Sequence, residues 1–188
     1  MAVIIAMLRG VNVGGHNKIK MEELRGLCKT LKLRDACTYV QSGNLIFRTD
    51  ERDLELLTKR LQNAIERKFG FRPDVVLRTA AEMREVIGRN PFAKRHGIEP
   101  NRLLVTFLAS EPDAEAREKA ARVETAPEEL RMDRREVYIY FPNGMARPKV
   151  SCPTIERILK TSGTGRNWNS VTKMLEIAEQ LEASERTP

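Results

Sequence analysis

The sequence predicts an α+β protein made of two consecutive β-α-β-β-α-β units, the second incomplete, with an extra C-terminal helix. Three observations predict it. Short apolar runs of strand length alternate with segments whose apolar residues recur at helical spacing. Paired strands meet at turn-forming residues such as Ser42-Gly43-Asn44. The order of elements then starts again after a connection that carries two prolines. This order is that of the split βαβ, or ferredoxin-like, unit, so the chain reads as tandem ferredoxin-like units.

Ala2–Arg9 reads as a buried strand, followed by the loop Gly10-Val-Asn-Val-Gly-Gly-His-Asn17. Met21, Leu24, Leu27, Cys28 and Leu31 then form one helical stripe. Ala36–Gln41 and Leu45–Thr49 form a hairpin around Ser42-Gly43-Asn44. Asp50 or Thr49 is expected to cap a helix carrying Leu54, Leu57, Leu61, Ile65 and Phe69, which Gly70 stops. Val75–Arg78 is the fourth strand and closes a unit over residues 1–79.

A short helix over Ala80–Gly88 and the segment Arg89–Pro100 make a connection spanning 80–101. The second unit, 102–188, starts with a strand at Arg102–Ala109 and a helix at Pro112–Arg122 opened by Ser110. A strand pair at Glu129–Met132 and Val137–Phe141 and a helix at Pro153–Lys160 follow, with no recognisable last strand. The repeated order suggests an ancient duplication, resting on element order alone. A final helix begins near Trp168, with Val171, Leu175, Ala178 and Leu181 on one face, and the tail Ala183–Pro188 is polar.

The 188 residues are 41% hydrophobic, 31% charged and 5% aromatic, which excludes disordered and collagen-like classes and provides enough apolar material for a core. The longest apolar run, Ala2–Leu8, is too short for a membrane helix and has no basic segment or cleavage site around it, so a cytoplasmic protein without a membrane partner is expected. Three cysteines without CxxC spacing argue against a disulfide framework or a zinc site, and Cys28 falls on the apolar side of its helix as a small core residue. The net charge of +7 is uneven. Residues 1–79 hold 15 Lys and Arg against 9 Asp and Glu, whereas the rest is nearly balanced. A basic excess of this kind attracts nucleic acid, phosphorylated metabolites or anionic lipid, or simply solvates a face.

Three segments are candidates for chemistry. Arg9-Gly-Val-Asn-Val-Gly-Gly-His-Asn-Lys18 leaves a strand and enters a helix, where backbone N–H groups can cradle phosphate. It is neither a Walker A sequence nor GxGxxG, and its glycines serve equally to permit a tight turn with Asn12 and Asn17 bonding the backbone. Thr38-Tyr-Val-Gln-Ser-Gly-Asn-Leu45 places amides and a hydroxyl at the hairpin, expected at the opposite end of the sheet from the first loop, with Ser42 and Asn44 satisfying their own turn. In Gly163-Thr-Gly-Arg-Asn-Trp-Asn-Ser-Val-Thr-Lys173, Asn167 can cap the last helix and Arg166 stands just outside its N-terminus, electrostatically misplaced unless an anion or carboxylate is held there. Trp168 there packs the helix or lies under a planar ligand. Asn90-Pro-Phe92 and Arg147-Pro-Lys149 read as turn and edge-strand punctuation. Catalytic constellations are missing: His16 and His96 are not at metal-ligand spacing, and Ser42 has no identifiable base. His16 is the best-placed acid or base, and an exposed turn histidine explains it as well.

Taken together, Leu8-Arg-Gly-Val-Asn-Val-Gly-Gly15 with Lys18 and Met21, Thr38-Tyr-Val-Gln-Ser-Gly-Asn44, Asn90-Pro-Phe92, and Gly165-Arg-Asn-Trp168 with Thr172 resemble a bacterial family of unknown function, the domain of unknown function numbered 1697. The four blocks stand in that family's order and cover nearly the whole chain. The resemblance implies a tandem ferredoxin-like architecture and supplies no substrate, reaction or cofactor. The hallmark residues it carries over are Arg9, Gly10, Asn12, Gly14, Gly15, Lys18, Gln41, Ser42, Gly43, Asn44, Arg166, Asn167 and Trp168.

The leading functional expectation is that the first-strand loop and the Gly165–Trp168 segment come together to bind an anionic small molecule or phosphate. Gly14 and Gly15 would present N–H groups, Arg9, Lys18 and Arg166 charge, and Asn12 or Asn167 orientation. Gly10, Gln41, Ser42, Asn44 and Trp168 complete the expected ligand-binding set, with no metal and no identified cofactor. The rival is a nucleic-acid-binding module, disfavoured because the strands offer one exposed ring at most where an RNA-binding sheet needs several. A third expectation is a structural or interaction protein whose blocks stabilise the junction of two units.

Overall fold

A computed structural model describes residues 1–146 and 148–184. Arg147, part of the Arg147-Pro-Lys149 segment, and residues 185–188 of the tail lie outside it. The elements run β1 (Ala2–Leu8), α1 (Met21–Thr30), β2 (Arg34–Tyr39), β3 (Asn44–Thr49), α2 (Leu54–Phe69), β4 (Val75–Thr79) and α3 (Ala80–Gly88). They continue with a 3-10 turn (Pro100–Arg102), β5 (Leu103–Leu108), α4 (Ala114–Ala121), β6 (Glu129–Asp133), β7 (Glu136–Tyr140), α5 (Cys152–Leu159), β8 (Gly163–Asn167) and α6 (Trp168–Ser184). The fold is α+β, with two ferredoxin-like units and a C-terminal helix. Unit 1 comprises Met1–Arg84 and the chain from Lys173 onward, and unit 2 comprises Glu85–Thr172. Among the described residues no helix is long and apolar enough to cross a membrane.

In unit 1 the strand order is β2-β3-β1-β4, with every neighbouring pair antiparallel. Ile4, Ala6 and Leu8 of β1, with Leu45, Phe47 and Leu77, form one core with Leu24 and Cys28 of α1 and Leu57, Leu61 and Ile65 of α2. The other face is buried too: Ile5, Met7, Ile46 and Val76 are nearly inaccessible, and Arg78 is the largest fully buried side chain. α2 is capped by Asp53, whose carboxylate accepts from the Glu55 and Leu56 N–H groups at 2.9 Å, rather than by Asp50 or Thr49. Gly70 ends it at φ 79°. Arg48, on β3, holds the last turn of α6 by donating to Leu181 O and, at 2.9 Å, to Ser184 Oγ. The same guanidinium lies 3.3 Å from Asp35 Oδ2. Arg84 of α3 pairs with Glu179 and Glu182 of α6.

In unit 2 the order is β6-β7-β5-β8, again antiparallel throughout. Leu108, Val137 and Ile139 form a core with Ala116 and Ala120 of α4 and Ile155 and Leu159 of α5. The cap of α4 is Asp113, which accepts from Ala116 N–H at 2.7 Å, while Ser110 instead shares a 2.8 Å hydroxyl bond with Thr161. The strand that the sequence left unrecognised is β8, and it completes the unit by pairing with β5. Its sequence, Gly-Thr-Gly-Arg-Asn, lacks apolar alternation because it is tightly covered: a Cβ on Gly163 would lie 3.0 Å from Phe107 O, and one on Gly165 would lie 3.0 Å from Cys152 Sγ. Asn90-Pro-Phe92 is a turn in which Asn90 Oδ1 accepts from Phe92 N–H at 2.9 Å, and Phe92 is buried with its ring 6.1 Å from that of Tyr140.

Candidate functional site

The first loop and the β2-β3 hairpin lie at the same end of the unit 1 sheet, not at opposite ends. The crossover through α1 returns β2 parallel to β1, because β3 is antiparallel to both. The C-terminal end of β1 therefore meets the hairpin on one side and the start of β4 on the other. Leu8 N–H donates to Gly43 O and Arg9 N–H to Asp74 O, each at 2.9 Å. A side chain at Gly43 has no room in this contact, since a Cβ would sit 2.9 Å from Leu8 Cβ and 3.3 Å from Val11 Cβ, at a φ of 75°.

Asn12 locks the base of the loop. Its side-chain amide donates to Ile19 O at 3.0 Å and Gln41 O at 2.7 Å, while its Oδ1 accepts from Ile19 N–H at 2.8 Å. Asn17 Nδ2 donates to Gly10 O at 3.1 Å. Both asparagines thus bond backbone, one of the two roles open to them from sequence. Beyond this base the loop projects as a two-residue turn, with Val13 and His16 bridged and His16 N–H donating to Val13 O at 3.1 Å. Gly14 and Gly15 form its tip at φ 59° and 81°, the pair of positive values that a type I′ turn requires. The Gly14 and Gly15 N–H groups have no acceptor among the described residues. The turn precedes α1 by five residues, so these groups stand on the turn itself and not at the helix N-terminus.

The hairpin is held from inside as well. Asn44, fully buried, donates to Tyr39 O and Ser42 Oγ, both at 3.1 Å. Gln41 is exposed and contributes its main-chain oxygen to Asn12. The strand β2 stops at Tyr39, and Val40 turns the chain with φ 51°. Positive charge at this end comes from Arg9, which pairs with the carboxylate of Asp74, and from the exposed Lys18. Arg9 Nη1 lies 3.2 Å from Asp74 Oδ2, with both side chains more than a third exposed, a pair of small energetic weight. His16 is exposed beside the glycines.

Arg166, Asn167 and Trp168 belong to unit 2. Arg166 lies within β8, directly before the cap of α6, opposite Val105, and is 7% exposed. Its Nη1 donates to Thr164 Oγ1 at 2.6 Å and Gly165 O at 2.8 Å. Burial lowers the guanidinium to about 10, with Cys152 opposing the shift, which leaves it charged at neutral pH. Asn167 caps α6, accepting from Asn169 N–H at 3.0 Å, and donates to Asn101 O at 2.8 Å. Trp168 is half-buried. Burial pushes the Cys28 thiol up to about 12, as its place in the core requires. Among the described residues no three His, Cys, Asp or Glu side chains cluster to hold a metal.

The structure therefore brings Arg9, Asn12, Gln41, Ser42 and Asn44 to one sheet end, with Gly10, Gly14, Gly15 and Lys18 on the loop that rises from it. Sequence reasoning missed Asp74, Val13 and Val40 at this end. Asp74 follows Arg72-Pro73 with no local signal, and its neighbourhood to Arg9 arises only from the pairing of β4 with β1.

No curated protein matches the chain. Among solved structures it is similar to that of the conserved bacterial protein SP0830 from Streptococcus pneumoniae, with a TM-score of 0.71 at 20% identity over 94% of this chain and 98% of that one. At that identity the likeness shows the shared fold. A family model described as "Protein of unknown function (DUF1697)" matches residues 1–138, and the chain belongs to that family.

Proposed function

We propose that unit 1 binds an anionic small molecule, such as a phosphate compound, at the loop that rises from the end of β1. The observation that carries this reading is the turn at Gly14 and Gly15: two successive exposed N–H groups without a protein acceptor, on a loop whose base Asn12 holds rigid and whose flanks carry Arg9 and Lys18. Backbone donors fixed in advance bind an anion without further ordering cost. Titration of isotope-labelled protein with inorganic phosphate tests the reading by amide chemical shifts. Saturable shifts at Gly14 and Gly15, weakened several-fold in Lys18→Ala, are expected. Silence at both amides up to high phosphate would remove the reading.

A nucleic-acid-binding reading has less support. The central strands β1, β3, β5 and β7 are buried on both faces, so neither sheet offers the open platform on which RNA-binding ferredoxin-like domains stack bases. The basic excess of the first 79 residues also shrinks. The described residues that join them in unit 1 bring two cations and four acids, cutting the excess from +6 to +4. Salt-dependent retardation of RNA or DNA by the protein would restore this reading. A purely structural role for the blocks predicts instead that Arg9→Ala lowers Tm with phosphate shifts unchanged.

We also propose that the two units descend from one by duplication, in a cytoplasmic protein. Supporting the first, Ile5 faces Arg78 and Val105 faces Arg166 at matching registers. Each arginine is buried, and each donates from Nη1 to the carbonyl of the residue before it, at 2.9 and 2.8 Å. A superposition of the two sheets that fits only after shifting one register would remove the claim. The three free cysteines suit a reducing compartment, and cell fractionation checks it.

A further inference from the structure

The described residues expose four large hydrophobic side chains: Met1, Val13, Val40 and Leu56. Two of them frame a single hydrogen bond. Val13 follows Asn12 and Val40 precedes Gln41, and Asn12 Nδ2 donates to Gln41 O at 2.7 Å. Val13 is 63% exposed and Val40 49%. Val40 also sits at φ 51°, a conformation in which a β-branched side chain is strained by about 1–2 kcal/mol. Asn in its place would turn the same hairpin at lower energy.

The fold does not ask for valine at either position. Exposure and strain fall together at one sheet end, where the loop that carries the glycine turn and Lys18 meets the hairpin. Strained residues, held in place by the structure around them, cluster at active sites and ligand clamps. From this juxtaposition we infer that the ligand of the β1 end is an amphipathic anion: its phosphate or carboxylate meets the Gly14–Gly15 turn and Lys18, and an apolar or planar body lies against Val13 and Val40. The inference rests on the anion reading above and adds the uncharged half of the ligand. Inorganic phosphate alone would leave both valines idle.

The test compares inorganic phosphate with phenyl phosphate, titrated into the full-length protein and followed at the Gly14, Gly15 and Gln41 amides. Phenyl phosphate is expected to bind about tenfold more tightly, since an aromatic ring that buries even part of its surface gains that much. Val13→Ser and Val40→Asn, the second accepting the positive φ, should each shrink this preference several-fold while leaving inorganic phosphate affinity unchanged. Equal affinity for the two ligands, or a preference that both variants keep, overturns the inference and leaves the anion reading standing. A Val40→Asn that alters only Tm also overturns it, by showing that the valine acts within the fold alone. Failure of both ligands to shift the amides overturns both.

Discussion

The amide of Asn12 and the carbonyl of Gln41 meet at 2.7 Å although 29 residues separate them in the chain. This bond joins the first loop to the first hairpin, and Asn12 adds two more bonds to Ile19. Asn12→Ala therefore abandons three bonds at once and puts alanine at a φ of 57°, and should lower the unfolding free energy by about 3–4 kcal/mol. Asn17→Ala loses its one bond to Gly10, also at a positive φ of 50°, and should lose about 2 kcal/mol. Urea denaturation of the two variants checks the ranking, and equal losses would contradict it.

Gly43 and Gly15 share a positive φ and differ in surroundings. Gly43→Ala drives a methyl into Leu8 and Val11 and should destabilise by about 3 kcal/mol, from overpacking and backbone strain together. At Gly15 nothing lies within 4 Å of an added Cβ, so Gly15→Ala should cost only the strain, about 1 kcal/mol. Thermal melts separate the two. A Gly43→Ala protein as stable as Gly15→Ala would mean that the hairpin does not press on β1.

Arg48 is 7% exposed and reaches Asp35, Leu181 and Ser184. Arg48→Met keeps much of its apolar stem and removes the clamp on the last turn of α6. Amide hydrogen exchange across residues 178–184 should accelerate by at least about tenfold, while α1 and α2 change little. Unchanged protection in α6 would show that the guanidinium is not what holds it.

The Cys28 thiol titrates near 9 in the unfolded chain and is pushed up to about 12 in the fold by burial. The folded protein keeps the proton that the unfolded chain gives up, so this contribution is fully present below pH 9 and is lost as pH rises from 9 toward 12. The loss approaches about 1.4 kcal/mol per pH unit in that window. Cys28→Ala should show a shallower decline in stability between pH 9 and 10.5 than the parent. The native thiol should also resist aromatic disulfide reagents until unfolding. Identical pH slopes, or fast native labelling of Cys28, would count against its burial.

Most elements were legible in the sequence because the helices carry an apolar stripe and the central strands read as short apolar runs. The stripe of α1, the limits of α3 at Ala80 and Gly88 and the stop at Gly70 all follow from local spacing. What escaped depends on neighbours. Asp53 outcompetes Asp50 as a cap because the chain first bends through Glu51, whose N–H donates to Thr49 Oγ1 at 3.1 Å. The strand β8 escaped because its glycines answer to the close approach of Phe107 and Cys152, a pressure that leaves no pattern within its own five residues. Apart from Asp74, Val13 and Val40, the residues of the candidate site were named from sequence, but their meeting at one sheet end needed the direction of β2, which only the pairing with β3 sets.

The clamp of Arg48 on Leu181 and Ser184 also bears on biosynthesis. A ribosome releases β3 well over a hundred residues before it releases the last turn of α6, at a rate that leaves several seconds between them. During that delay the guanidinium cannot settle into its finished surroundings, and the nascent first sheet keeps open the place later filled by the helix. Chaperones that screen emerging apolar surface would meet the protein in this half-closed condition.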